Sequence, residues 1–301
     1  MIESWYSMKE KTIYALGFFD GVHLGHQALL LACDHIAQRT GCKAGVVTFS
    51  SHPDALVTGK IPPLINAVPE RNRMLLGHKI SDILELPFDE KLRNMPWQDF
   101  LEDLIQKGAA GFVCGEDFRF GFRGEGSAQS LAQFCRERDL PWAVVPEQTL
   151  DGVTVSSTHI RRLLEAGQME EAVRFLGHPH GLSGKVVSGR RLGRTLGIPT
   201  ANLLIPEGVV ELRHGVYACK AVVDGQTFLA VTNVGNRPTV GGHRVTVEPW
   251  LLDFDGDLYG KHLTLLFYAF LRPEQKFGSL EELRKEIQKN AVQTRKIFEK
   301  T

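Results

Sequence analysis

The chain lacks most of what would mark a secreted, metal-clamped or membrane-inserted protein. Its five cysteines (Cys33, Cys42, Cys114, Cys135, Cys219) form no C-x-x-C pair, and one is left over. That argues against a disulfide framework or a zinc site and predicts reduced thiols in a cytoplasmic protein. No apolar run approaches a membrane span, and the opening MIESWYSMKEKT has no apolar core of the secretory kind. An excess of one charge is missing too. With 35 Lys+Arg against 35 Asp+Glu, neither nucleic acid nor a membrane surface is an expected partner. Internal repeats and low-complexity segments are absent.

What remains is an ordinary globular composition, 43% hydrophobic and 23% charged. A length of 301 residues is long for one core, so two domains are expected. Residues 13–176 alternate strand and helix signals. Strands are predicted at Ile13–Leu16, Ala44–Phe49, Ile83–Phe88, Phe112–Cys114 and Trp142–Val145. Between them, Leu29, Cys33, Ile36 and Ala37 share a helical face closed by Thr40-Gly41, and further helices are predicted over 69–78, from Pro96 to Gly108 and over 127–138. Two short helices, 157–166 and 169–176, follow. This alternation predicts an α/β domain with a mostly parallel sheet covered on both faces.

The pattern changes after Gly177-His178-Pro179. Short runs rich in Val, Thr and Phe, such as Val216–Val223, Phe228–Asn233, Val245–Asp253 and Leu263–Leu271, are broken by Gly, Pro, Asn and Asp. They predict a closed antiparallel barrel, followed by a helix from Leu280 to Phe298 with Leu283, Ile287 and Ile297 on one side. The expected domains are 1–178 and 183–301.

One stretch organises the first domain: Gly17-Phe18-Phe19-Asp20-Gly21-Val22-His23-Leu24-Gly25-His26. It lies between a strand and the start of a helix, where free backbone N–H groups and a partial positive charge favour a phosphate. His23 and His26 can donate to phosphoryl oxygens, Gly25 allows close approach, and Asp20 and Gly21 shape the turn. Taken alone, H-x-x-H reads more simply as one capping and one exposed histidine. A metal pair finds no evident third ligand. A second stretch, Val155-Ser156-Ser157-Thr158-His159-Ile160-Arg161-Arg162, offers hydroxyls suited to a helix cap and an arginine suited to phosphate.

The later half has glycines that could wrap a loop around phosphates, Gly184, Gly189, Gly193 and Gly197, then Pro199-Thr200-Ala201-Asn202. Thr200 and Asn202 are hard oxygen donors, as magnesium prefers. Glu248, in Val247-Glu248-Pro249, reads alone as a solvent-facing strand carboxylate.

Together these stretches resemble the bacterial bifunctional riboflavin kinase/FMN adenylyltransferase (FAD synthetase) family. Gly115-Glu116-Asp117-Phe118-Arg119-Phe120-Gly121, Thr48-Phe49 with His52-Pro53, Asn233–Thr239 and Leu271–Phe277 are also family-like. The resemblance implies an N-terminal nucleotidyltransferase domain and a six-stranded riboflavin kinase barrel. It implies riboflavin, FMN, FAD, ATP and ADP as ligands, and Mg2+ with ATP. By resemblance His23 and His26 serve the ATP phosphates. Gly17, Phe19, Asp20, Gly25, Ser157, Thr158 and Arg161 line the nucleotide site, and Asp117 lies near FMN, where Phe118, Phe120 and Phe122 are candidates to stack on the flavin. In the barrel, Thr200 and Asn202 hold magnesium, Gly189 and Gly193 belong to the phosphate loop, Glu248 is the catalytic carboxylate and Arg272 contacts flavin or product phosphate. Asn290 stands where the family leads one to expect aspartate. Two other readings are weighed: one active half, or an N-terminal half with another acceptor; and a flavin- or nucleotide-sensing regulator that keeps the folds.

Overall fold

Ile13 and Ala15 face one side of the first strand, and Tyr14 and Leu16 the other; all four are buried. A strand buried on both faces is the centre of a covered parallel sheet. The computed structural model describes residues 11–57, 59, 61–187, 200–239 and 242–299. The described chain divides into two compact units, one built from residues up to Pro62 with Arg71–Ser156, the other from Pro63–Glu70 with the chain from Ser157 onward.

In the first unit, β1 (Thr12–Leu16) leads to α1 (Leu24–Thr40), β2 (Lys43–Phe49), α2 (Asp54–Val57), α3 (Val68–Gly77), β3 (Asp82–Leu86), α4 (Glu90–Arg93), α5 (Trp97–Gln106) and β4 (Ala109–Gly115). A short hairpin, β5 (Arg119–Phe120) with β6 (Gly126–Ser127), precedes α6 (Ala128–Glu137) and β7 (Trp142–Val145), and β8 (Thr149–Leu150) pairs with β9 (Val153–Thr154). The five-stranded sheet has the order β3-β2-β1-β4-β7, and every pair is parallel. α1 packs Leu29, Leu30, Cys33 and Ala37 against Ile13, Ala15 and Val46 on one face. On the other, α5 and α6 bring Phe100, Leu101, Leu104, Leu131 and Phe134 against Tyr14, Leu16, Val47 and Phe112. The helix stop expected at Thr40-Gly41 is present: Gly41 takes φ 66° and its N–H bonds the Ala37 carbonyl.

The second unit opens with α7 (Ser157–Ala166) and α8 (Met169–Leu176), then β10 (His180–Lys185), β11 (Leu203–Leu204), β12 (Gly215–Val223), β13 (Gln226–Thr239), β14 (Gly242–Leu251), β15 (His262–Pro273) and the C-terminal helix α9 (Leu280–Glu299). Its strands run β10-β15-β12-β13-β14-β11, all antiparallel. A bridge in which the Val187 N–H donates to the Asn202 carbonyl at 2.9 Å brings the two ends of that order together, nearly closing the barrel. Tyr217, Cys219, Ala230, Thr232, Val234, Val247, Leu203 and Phe267 are buried. Their cross-strand pairing puts Tyr217 with Thr232 and Val234 with Val247 on the inner face. α9 lies over the outer face of β12 and β13, with Ala291 packed in a cluster with Val216, Val231 and Leu252. Its most buried positions are Asn290, Ala291 and Thr294, while the expected Leu283, Ile287 and Ile297 are half-buried. The helix therefore seats Asn290 on the barrel, where its Oδ1 accepts from the Arg272 Nε.

Parallel pairing of β4 with its neighbours leaves no room for a side chain at Gly111. An added Cβ would lie 2.4 Å from the Pro141 carbonyl oxygen, which accepts from the Phe112 N–H. Gly111→Ala is expected to destabilise the first unit by about 1–3 kcal/mol, the usual cost of overpacking. Chemical denaturation followed by circular dichroism checks this; an unchanged midpoint would mean that the strands relax around the methyl group.

Candidate active sites

At the carboxyl end of β1 the chain makes a turn that most residue types avoid. Phe19 sits at φ 60°, ψ 29°, Gly21 at φ 80° and Val22 at φ 41°. Glycine accepts such angles; a β-branched valine there is strained, at about 1–3 kcal/mol. Strain of this size persists only where surrounding bonds dictate it. Here the Gly17 N–H donates to the Val47 carbonyl, the Thr48 hydroxyl to the Phe18 carbonyl at 3.1 Å, and the Gln27 amide to the Val22 carbonyl at 2.9 Å. Gly17, Phe19 and Asp20 are thus turn residues, with Phe19 and Asp20 buried.

The turn delivers His23 as the N-cap of α1. Its Nδ1 accepts the His26 backbone N–H at 3.3 Å, which leaves the proton of the neutral ring on Nε2. Gly25 lies tight between them, since a Cβ there would stand 3.3 Å from the His23 ring. The two imidazoles stack, centroids 3.6 Å apart and 15° from parallel. The simple alternative for H-x-x-H is half correct: His23 does cap the helix. His26 departs from it. Its Nδ1 is buried without a hydrogen-bond partner, and burial, then His23, then the charge of Arg71 hold its pKa well below the ordinary 6.5. A neutral histidine donates through one nitrogen without carrying a second cation into the stack.

Arg71 was not among the residues singled out from the sequence. It is 1% exposed, donates to the Phe18 and Phe49 carbonyls at 3.2 Å each, and pairs with Glu85. Its neighbours in sequence, Glu70, Asn72 and Arg73, make the segment look like a solvated helix face. The available signal was spacing: Arg71 and Leu75 are the two buried residues of α3, one turn apart.

The other expected residues are distributed as follows. Asp117 is exposed beside Gly115, where its Oδ1 would be 2.8 Å from an added Cβ. Phe120 belongs to the core under Trp97 and Phe100, and Phe118 stacks on it. Phe120 is therefore a packing residue, the simpler of the two readings of these alternating phenylalanines. In the second unit, Ser157 begins α7, Thr158 is exposed, and the Arg161 Nε donates to the Pro63 carbonyl at 2.7 Å. Gly189 and Gly193 lie outside the described residues.

On the barrel, strand register assembles a row from distant parts of the sequence. Leu203 pairs with Val247 and the Ala201 N–H donates to the Pro249 carbonyl, which sets Asn202 opposite Glu248. Glu248 in turn pairs with Asn233, Asn233 with Val216, and Val216 with Arg272. Directly paired residues emerge on one face, here the outer one. Asn202 is buried, and Glu248 and Asn233 are half-buried. Arg272 is held at the end of this row: its Nε donates to the Asn290 Oδ1 at 3.1 Å and lies 3.5 Å from Glu286, and Phe277 underlies the guanidinium. Asn290, the residue in place of an expected aspartate, is thus a buried hydrogen-bond acceptor for Arg272, and Glu286 supplies the charge. Thr200 is half-buried, two residues before Asn202. Among the described residues no group of three or more His, Cys, Asp or Glu is arranged to hold a metal ion. A cation at Thr200 and Asn202 would therefore take its remaining oxygens from a phosphate substrate and water, the habit of Mg2+.

Comparison with known proteins finds two family models in succession along the chain. The FAD synthetase family model matches residues 6–159 and the riboflavin kinase model residues 176–298. A bifunctional riboflavin kinase/FMN adenylyltransferase of Listeria monocytogenes is 33% identical over 96% of this chain and 93% of its own length. Proteins of the same description from Pseudomonas fluorescens (35%, 95% and 92%) and Escherichia coli (34%, 96% and 94%) are similar to the same extent. A solved structure described as a macrolide-efflux protein from Streptococcus pneumoniae superposes with a TM-score of 0.87 at 28% identity, over 95% of this chain and 94% of that one. Among the described residues no helix is long and apolar enough to cross a membrane.

The depressed pKa of His26 makes a direct prediction. Because the neutral form is favoured, the His26 ring is expected to remain unprotonated as the pH falls through 6.5. Histidine-selective NMR across pH 8 to 5.5 checks it (free histidine titrates near 6.5); a His26 resonance titrating with an ordinary midpoint would contradict the buried, charge-coupled stack.

Proposed function

The chain belongs to the bifunctional riboflavin kinase/FMN adenylyltransferase family, and we propose that it runs both steps of flavin cofactor synthesis. Riboflavin is phosphorylated by ATP to FMN and ADP, and FMN is then adenylylated by a second ATP to FAD and pyrophosphate. We assign the second step to residues 1–178 and the first to residues 183–301. The observation that carries this is the pairing of two unrelated phosphate-directed arrangements in one chain: the strained turn ending in stacked His23 and His26, and the barrel row of Asn202, Glu248 and Asn233.

In adenylyl transfer an FMN phosphate oxygen attacks the α-phosphorus of ATP while pyrophosphate leaves. Little covalent work falls to the protein, so alignment and charge stabilisation dominate. His23, through the Nε2 proton that its capping bond imposes, and neutral His26 donate to phosphoryl oxygens at the start of α1, where the helix dipole adds its own attraction. Gly17, Phe19, Asp20 and Gly25 hold the turn, and Asp117 serves the FMN side. Ser157, Thr158 and Arg161 add hydroxyl and guanidinium contacts to the nucleotide, an assignment supported by the motif they form.

In the kinase step the ribityl 5′-hydroxyl attacks the γ-phosphorus, and Glu248 takes its proton. Thr200 and Asn202 would hold Mg2+ together with ATP phosphates; when bound, the ion neutralises charge on the phosphate oxygens. Gly189 and Gly193 are assigned to the phosphate loop by sequence. Arg272, tethered by Asn290 and Glu286, presents a fixed guanidinium to flavin or product phosphate. The five free cysteines, four of them buried, support a cytoplasmic location.

Incubation with riboflavin, ATP and Mg2+, followed by chromatography of the flavins, tests the assignment. His26→Ala is expected to accumulate FMN with FAD formation reduced about 100-fold, the scale of losing a positioned donor. Glu248→Gln is expected to block FMN formation while converting supplied FMN to FAD at the wild-type rate. Loss of both activities in folded Glu248→Gln would refute separate sites.

A further inference from the structure

Arg71 is charged, central to the first unit and almost wholly enclosed. At 1% exposure it offers no surface to a substrate; whatever it does, it does through other groups. We propose that Arg71 is the positioning residue of the adenylyl-transfer site, locking the turn from Gly17 to His23 onto the end of β2 so that His23 and His26 present a fixed pair of donors. This rests on the reading of that turn as the ATP-phosphate site.

The geometry is specific to a guanidinium. One nitrogen, Nη1, donates to the Phe18 carbonyl inside the turn and to the Phe49 carbonyl at the end of β2, both at 3.2 Å. The other two are occupied on the far side: Nε and Nη2 donate to Asn72 Oδ1 at 3.2 and 3.1 Å, and Nη2 to Glu85 Oε2 at 3.2 Å. The Phe18 ring lies under the cation at 5.0 Å. Two donors, Arg71 and the Thr48 hydroxyl, therefore converge on the carbonyl that immediately precedes Phe19, where the chain enters its left-handed angles. That peptide plane sets the direction of the strained segment leading to His23, and such strain holds only if over-determined. Lysine, a single point donor on a flexible stem, cannot bridge both carbonyls while keeping the Asn72 and Glu85 bonds.

The same charge acts on His26. His23 and Arg71 are the charged or titratable groups that depress its protonation, and Asp20 and Glu85 act on Arg71 in turn. Burial is the first cause of that depression and His23 the second, so removing the positive charge of Arg71 raises the His26 pKa only in part.

The test uses full-length Arg71→Lys and Arg71→Met. For each, kcat and KM for FMN adenylylation are measured across pH, and riboflavin phosphorylation is measured on the same preparation. Arg71→Lys should lower adenylylation kcat at least about tenfold, with the acid limb of the profile in place. Arg71→Met should lower it about 100-fold, as expected for donors displaced by about 1 Å, and move the acid limb to higher pH. Both should phosphorylate riboflavin at the wild-type rate. Wild-type adenylylation kcat in either folded variant overturns the proposal, as does an unshifted acid limb in Arg71→Met or an equal loss in the kinase step. Should Arg71→Met fail to fold, Arg71→Lys decides alone. A wild-type protein that makes FMN and never FAD would overturn the reading of the turn itself, and this inference with it.

Discussion

Hydrogen-bonded strand register is the constraint on which both sites depend. In the first unit, β1 is flanked on both sides by parallel partners, so its carboxyl end can neither shift nor fray. The turn from Gly17 to His26 inherits that rigidity. On the barrel, a slip of one residue in β14 would carry Glu248 to the inner face and break its alignment with Asn202 and Asn233. Backbone pairing sets the frame of each, and in the first unit side-chain bonds from Thr48, Gln27 and Arg71 fix the turn within it.

The chemistry assigned to each site follows from what that backbone leaves available. A turn held at positive φ through Phe19 and Val22 stores strain, and the return is a helix start with its cap histidine and His26 in face-to-face contact. Burial, the stacked His23 and the nearby Arg71 charge, in that order, hold His26 neutral, as suits a donor to an anion. The barrel solves a different problem. Its row sets a carboxylate and two amides in register on the outer face.

Much of this could be read from residues in order. Two-sided apolar strands such as Ile13–Leu16 and the stops at Thr40-Gly41 are local signals, and the longer strands and helices they imply are observed. The phosphate-directed turn was legible because its glycines and histidines are contiguous. Arg71 was not, because a charged residue among Glu70, Asn72 and Arg73 looks solvated until its spacing from Leu75 is noticed. The barrel row was invisible for a deeper reason: Asn202, Asn233, Glu248 and Arg272 become neighbours only through long-range register, which no local pattern encodes. Asn290 shows the same limit. Its substitution for an expected acid suggested a lost charge, yet Glu286 one turn earlier lies beside the same arginine. The two-residue strands β5, β6, β8 and β9 fall below the length at which alternation can be recognised.

The central claim is that two complete and separable active sites share this chain, joined only by the FMN that one makes and the other uses. Mixing two variants tests it most directly. His26→Ala, slowed about 100-fold in making FAD, and Glu248→Gln, blocked in making FMN, are combined in equal amounts with riboflavin, ATP and Mg2+, and FAD is followed over a time in which neither alone accumulates it. The account predicts that the mixture forms FAD after a lag in which FMN accumulates, although neither variant does so alone. A mixture that makes FMN and never FAD, with both proteins folded, would contradict it.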